Sequence, residues 1–218
     1  MTVESRIARR TGLPAACAGA DAYAAARRLL DEGAAGIVSF GIAGGLAPGL
    51  LPGTLVIATA VVGDGEVFTA NQTWRTALLH ALPHALSAPL AGASSPIATV
   101  TDKAALHART GAAAVDMESL AIARACRERG RPFAVLRAIA DPAGRAVPPS
   151  ALAGLDAGGR MAPGAVLGPL LRDPRQLVGL CRLGWDLARA MAALNAAARA
   201  LPGRLPGLDP LERVGDVA

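Results

Sequence analysis

Short apolar runs alternating with stretches of helical spacing predict an α/β fold of three layers, in which a central mixed, largely parallel sheet lies between helices. Two observations carry this reading. The runs at 36–42, 54–62 and 132–140 are mostly apolar without alternation, the second rich in Val, Ile and Thr, which suits strands covered on both faces. The helical stretches fall between these runs instead of forming a block of their own, as helices that cross over a sheet must.

Residues 22–32 place Tyr23, Ala26, Leu29 and Leu30 at helical spacing before Gly33 ends the pattern. Strands are expected at 36–42 and 54–62, a helix within 74–86, a short strand at 96–100, a helix at 117–129 and a buried strand at 132–140. From 142 to 174 the chain turns rich in Pro, Gly, Ala and Leu without a steady period and reads as an irregular connection. Helical spacing returns at Arg175, with Leu177, Leu180, Cys181, Leu187, Met191 and Leu194 forming an apolar stripe that runs to Ala200. One domain over residues 1–200 with a C-terminal amphipathic helix at about 175–200, and a flexible tail over 201–218, is the expected organisation.

A chain of 218 residues that is 52% hydrophobic and 18% charged can bury one sizeable core. Lys103 is its single lysine; the arginines are scattered among Asp and Glu, so the net charge of +5 forms no patch that argues for nucleic acid. Cys17, Cys126 and Cys181 are too few and too scattered for a disulfide framework and show no metal-ligand spacing, which points to a reducing cytoplasm and no metal. No signal peptide or membrane span is expected.

Three motifs carry chemistry. SFGIAGGLAPGLLPG, residues 39–53, holds glycines that either bring backbone close to a ligand, with amides forming a nest for an anion or a hydroxyl, or simply make a tight corner. It is not a dinucleotide fingerprint, since GxGxxG spacing is absent and a strand pattern follows. In VDMES, residues 115–119, Asp116 and Glu118 either start a helix, favoured by its dipole, or present a carboxylate to ligand hydroxyls. Asp141 ends RAIAD before Pro142, either as a turn residue or as an acid. Glu118 and Asp141 each close a strand-like run, so both can reach one pocket at strand ends. That suits an enzyme that holds a sugar hydroxyl with one carboxylate and handles a proton with the other.

SFGIAGGL, VDMES and RAIAD in this order resemble the nucleoside phosphorylase and nucleosidase superfamily. The resemblance implies a nucleoside phosphorylase-like fold. It assigns Met117 to packing against the sugar, Glu118 to accepting hydrogen bonds from ribose hydroxyls, and Ala43, Gly44 and Gly45 to the substrate pocket. It makes Asp141 the acid that protonates the purine at N7 as the glycosidic bond breaks. In the family a Ser usually precedes that Asp, whereas this chain has Ala140. Glu4 matches the region where nucleosidases carry an acid that activates water, and Arg6 stands where phosphorylases help hold phosphate. Family members begin with a strand and a Gly turn before that acid, so the first strand is expected to be missing here.

The wording of TVTDKAAL, GAAAVDMESLAIARAC and RAIADPAGRAVPPSAL looks most like the hopanoid-associated phosphorylases, which are implicated in removing adenine from adenosylhopane. The expected substrate is therefore a hopanoid-linked adenine nucleoside, with no cofactor and with phosphate as a candidate co-substrate; whether water or phosphate attacks is left open. A nucleosidase or phosphorylase for a small nucleoside such as methylthioadenosine is the alternative, and a binding module without turnover is a third. A homo-oligomer is expected. Arg175, Arg182 and Arg189 recur every seven residues on one helical side, a basic amphipathic pattern that suits core or subunit packing and also peripheral contact with an anionic inner-membrane surface. Thr101 or Asp102 is expected to cap a helix, while Asp102 and Lys103 are candidates to line the pocket; His80, His84 and His107 read as exposed or structural.

Overall fold

The structure, a computed structural model, describes residues 6, 7, 10, 21–153 and 176–201. Helix α1 (Ala22–Asp31) starts where the Asp21 side chain accepts from the Ala24 amide at 2.9 Å, and it buries Ala22, Ala26 and Leu30. Strand β1 (Ile37–Gly45) runs into β2 (Leu55–Gly63), which turns back at once as β3 (Glu66–Thr69). Asp64 and Gly65 at that turn both have positive φ, the geometry that matches the twist of a tight hairpin. Helix α2 (Gln72–Ala81) is capped by Asn71, and β4 (Leu86–Gly92), α3 (Val100–Thr110), β5 (Ala114–Asp116), α4 (Ser119–Glu128) and β6 (Phe133–Asp141) follow. The short α5 (Pro149–Ala153) and the long α6 (Gln176–Ala200) complete the described elements.

The strands lie in the order β3-β2-β4-β5-β1-β6, and β6 pairs back onto β2 through Leu55–Ile57, so five of them close into a ring with β3 outside it. The sheet is mixed and, as expected, largely parallel, since the parallel pairings hold most of the paired residues. β1–β6, β2–β4 and β4–β5 are parallel, while β1–β5, β2–β3 and β2–β6 are antiparallel. The antiparallel β1–β5 pair reverses the strand direction within the ring, so β2 meets β6 running against it.

Strand β6 is the centre of the core, buried at every residue except Asp141. Phe133, Val135 and Ile139 face the cluster of α1 and α4, which includes Ala26, Leu30, Ala123 and Cys126. Ala134 and Leu136 face Trp74 and Leu78 of α2 with Ala197 of α6, and Ala138 and Ala140 face Ala190 and Leu194 of α6. Helices therefore cover both faces, the three layers that the apolar runs predict. Burial pushes the Cys126 thiol up to about 12, which leaves it an inert packing residue.

Several expected elements are placed differently. The helix expected over 74–86 ends at Ala81, and the strand that follows is Leu86–Gly92 rather than 96–100, where Val100 already opens α3. Of its predicted stripe helix α6 fully buries only Leu194 and partly buries Met191 and Leu180. Its core face is Ala190, Leu194, Ala197 and Ala198 with Asp186, whereas Leu177 and Leu187 are exposed, because close approach to the Ala-rich end of β6 favours small residues over large ones. Residues 154–175, which include most of the irregular connection and Arg175, lie outside the described residues. So do Glu4, Cys17, the expected tail over 202–218 and any strand before residue 6. Among the described residues no helix is long and apolar enough to cross a membrane, and no cluster of His, Cys, Asp and Glu could hold a metal ion.

Candidate active site

The three sequence motifs meet at Gly44. In β1 this residue pairs with Val115 of β5 on one side and with Asp141 of β6 on the other, next to a bulge between Ala43 and Gly44. A Cβ there would stand 3.3 and 3.4 Å from the two Asp141 carboxylate oxygens and 3.4 Å from Val115 Cγ1. Glycine thus lets the Asp141 carboxyl lie close over the strand, where a Cβ would push it by a few tenths of an ångström. Gly45 is similarly tight, with the Asp141 carbonyl oxygen 3.2 Å from a built Cβ. The nest reading of this pair is corrected: Gly44 and Gly45 are extended residues of β1, and positive φ occurs instead at Gly49 and Gly53 in the following turn. Ala43 is a buried core residue and presents its backbone only.

Asp141 has one strong partner, Lys103 of α3. Its Nζ donates to Asp141 Oδ2 at 2.5 Å, to the Pro142 carbonyl at 3.1 Å and to the Arg145 carbonyl at 2.9 Å. An ammonium has three donors, so the lysine is fully used. It is also completely buried, which corrects the expectation that it lines the pocket. Burial pushes the Asp141 carboxyl above the ordinary carboxylate range. The hydrogen bond and charge of Lys103 pull it down, the Asp186 carboxylate adds to the rise and Arg145 opposes it. Thr99, not Thr101 or Asp102, caps α3, accepting from the Asp102 amide at 3.0 Å.

Glu118 stands at the N-cap position of α4, yet its side chain makes no capping bond. Asp116 takes that work, its Oδ1 accepting from the Ser119 amide at 3.0 Å and the Glu118 amide at 3.3 Å. The helix-start reading therefore belongs to Asp116. The Glu118 carboxylate is half-exposed and lies 3.7 Å from Arg137 Nη2, and Met117 beside it is exposed at the mouth of the strand ends.

Beneath them lies a buried polar network. Arg137 Nε donates to Asp116 Oδ2, and Nη2 donates to Ser39 Oγ at 2.7 Å and Ser119 Oγ at 3.1 Å, while Ser119 Oγ donates to Asp116 Oδ2 at 2.5 Å. Arg137 and Asp116 side chains are only 3% and 2% exposed, so neither charge could be tolerated without the other. Sequence reasoning did not single out Arg137 or Ser39. The available signal was a lone charge inside the apolar run AVLRAIA, which has to find a partner.

Arg6 is exposed beside Ile7, which packs against Ala138, Ala140 and Leu194. The structure thus places it next to the strand that carries Asp141, without a hydrogen bond to Asp141 or Glu118 among the described residues. His107 accounts for itself locally, its ring bonded to the Ala112 carbonyl at 2.8 Å after α3 ends at Gly111.

Solved structures share this fold. A methylthioadenosine/S-adenosylhomocysteine nucleosidase from Neisseria meningitidis, in complex with methylthio-immucillin-A, superimposes with a TM-score of 0.62 at 19% identity, over 84% of this chain and 76% of that one. The corresponding nucleosidase from Colwellia psychrerythraea in complex with adenine gives 0.57 at 20% identity, over 86% and 76%. A futalosine hydrolase mutant of Helicobacter pylori gives 0.51 at 20% identity, over 56% of this chain and 64% of that one. No curated protein matches in sequence. Residues 7–153 match the family described as "Phosphorylase superfamily", a span that holds Gly44, Lys103, Glu118 and Asp141. This chain belongs to the phosphorylase superfamily of enzymes.

Proposed function

We propose that this protein cleaves the N-glycosidic bond of an adenine nucleoside. The observation that carries the reading is the meeting of β1, β5 and β6 at Gly44, which sets the Asp141 carboxyl and the Met117–Glu118 pair at neighbouring strand ends. Glu118 accepts hydrogen bonds from ribose hydroxyls, and Met117 covers the sugar. As the bond from C1′ to N9 breaks, its electron pair stays with the base while the sugar gains oxocarbenium character. A proton from Asp141 to N7 neutralises the departing base. The raised Asp141 carboxyl is suited to that task, since it holds its proton at a higher pH than an ordinary carboxyl. Water at C1′ would give ribose, and phosphate would give ribose 1-phosphate; Glu4 and Arg6 are the proposed helpers of the one and the other. Gly44→Ala is expected to lower adenine release about threefold to tenfold, through a displacement of the acid by a few tenths of an ångström, with circular dichroism unchanged.

We propose further that the nucleoside is hopanoid-linked. Leu177, Val178, Trp185 and Leu187 are exposed on α6, and Arg182, Trp185 and Arg189 line a cleft of about 390 Å³ with Arg145 and Asp186. An exposed Trp among arginines suits an anionic lipid surface from which an apolar substrate is drawn. The solved relatives bound to methylthio-immucillin-A and to adenine support the second reading, a small nucleoside such as methylthioadenosine. Adenine release from adenosylhopane in liposomes and from methylthioadenosine in buffer separates the two. Under the lipid reading Trp185→Asp slows the first reaction at least about tenfold and leaves the second unchanged. Equal rates for that variant, or turnover of methylthioadenosine alone, would favour the small nucleoside.

A further inference from the structure

The ion pair between α3 and the end of β6 has a consequence for the reaction. Lys103 spends its three donors on Asp141 Oδ2 and on the carbonyls of Pro142 and Arg145, so one buried side chain fixes both the acid and the turn that follows it. Arg145 is anchored in turn by its guanidinium to Asp186 of α6, which is buried. Among the described residues Asp141 Oδ1 receives no hydrogen bond. Ala140, the residue before Asp141, has no polar side chain that could steady the carboxyl.

Resting on the reading of Asp141 as the acid, we propose that Lys103 is a positioning residue for glycosidic bond cleavage, holding Oδ2 of Asp141 from behind so that Oδ1 is the oxygen presented to the purine. The geometry has two effects that pull against each other. Orientation favours proton delivery, because a carboxyl held at one oxygen loses the rotation that would turn its proton away. Charge disfavours it, because an ammonium at 2.5 Å stabilises the ionised acid. The groups that face Asp141 are Lys103 from α3, Arg145 from the turn and Asp186 from α6, and β1 brings only Gly44. Removing Lys103 therefore takes away the nearest cation and leaves Asp186 opposed by Arg145 alone. The acid then keeps its proton to higher pH but is no longer held in place.

The test is the pH profile of adenine release for Lys103→Met, Lys103→Gln and Lys103→Arg, each first shown to be folded by circular dichroism. Turnover depends on protonated Asp141, so it falls as pH rises through the carboxyl's pKa. In Lys103→Met that alkaline limb moves up by about one to three pH units. Its plateau kcat falls about 10²-fold with KM little changed. Lys103→Gln, which keeps a donor for Oδ2 without the charge, moves the limb in the same direction and recovers part of kcat. Lys103→Arg leaves the limb in place. A limb that stays put in folded Lys103→Met or Lys103→Gln, or unfolding of both, would overturn the proposal and leave Lys103 a structural residue. Failure of the underlying reading looks different: an Asp141→Asn enzyme with wild-type turnover removes the acid itself, whatever the lysine variants do.

Discussion

Asp141→Asn is expected to lower adenine release by about 10² to 10⁴-fold, the usual range for loss of a general acid, while nucleoside binding changes little. The amide keeps the shape of the carboxyl over Gly44 and can still meet Lys103 through its oxygen. Under the proposed reading it loses the proton that neutralises the leaving base. Glu118→Gln has a different signature. Under the proposed reading it weakens hydrogen bonds to the ribose before and during bond breakage, so KM is expected to rise and kcat to fall together. Product analysis for release and calorimetry for binding distinguish the two variants. Equal loss of binding in both would mean that Asp141 is a recognition group rather than the acid.

The largest effect on stability is expected from Asp116→Ala. It leaves the Arg137 guanidinium buried at 3% exposure, with two serine hydroxyls as neighbours and the half-exposed Glu118 at 3.7 Å. Breaking one side of a buried pair costs about 3–5 kcal/mol. In a chain of this size that lowers the melting temperature by roughly 6–20 °C. The site suffers as well, because Asp116 fixes the Glu118 and Ser119 amides at the start of α4. The double variant Asp116→Leu with Arg137→Leu removes both charges and is expected to melt well above Asp116→Ala. If Asp116→Ala melts as the wild type does, the network is not what holds the strand ends together.

The apolar runs of β1, β2 and β6 were legible because strands covered on both faces carry few polar residues, here Ser39, Thr59 and Arg137 before the closing Asp141. β4 was not, since Pro89 interrupts it; the strand survives because the Pro89 carbonyl still accepts from the Ala113 amide at 2.8 Å. The hairpin to β3 had a signal in the Asp64–Gly65 dipeptide, but four residues of EVFT offered too little alternation to read as a strand. On α6 the large residues misled, because the face that packs on β6 is set by how closely Ala190, Ala197 and Ala198 let the helix approach. At the site, Glu118 and Asp141 could be found from motifs that are local in sequence. Their partners could not: Lys103 meets Asp141 across 38 residues and Arg137 meets Asp116 across 21, contacts that only the closed sheet brings about.

A crystal structure with an unreactive adenosine analogue tests the central claim most directly. A single nucleoside is expected over Gly44, its N7 within about 3.2 Å of Asp141 Oδ1 and its ribose hydroxyls on Glu118. An analogue bound away from Gly44, or one whose N7 points away from Asp141, would contradict it.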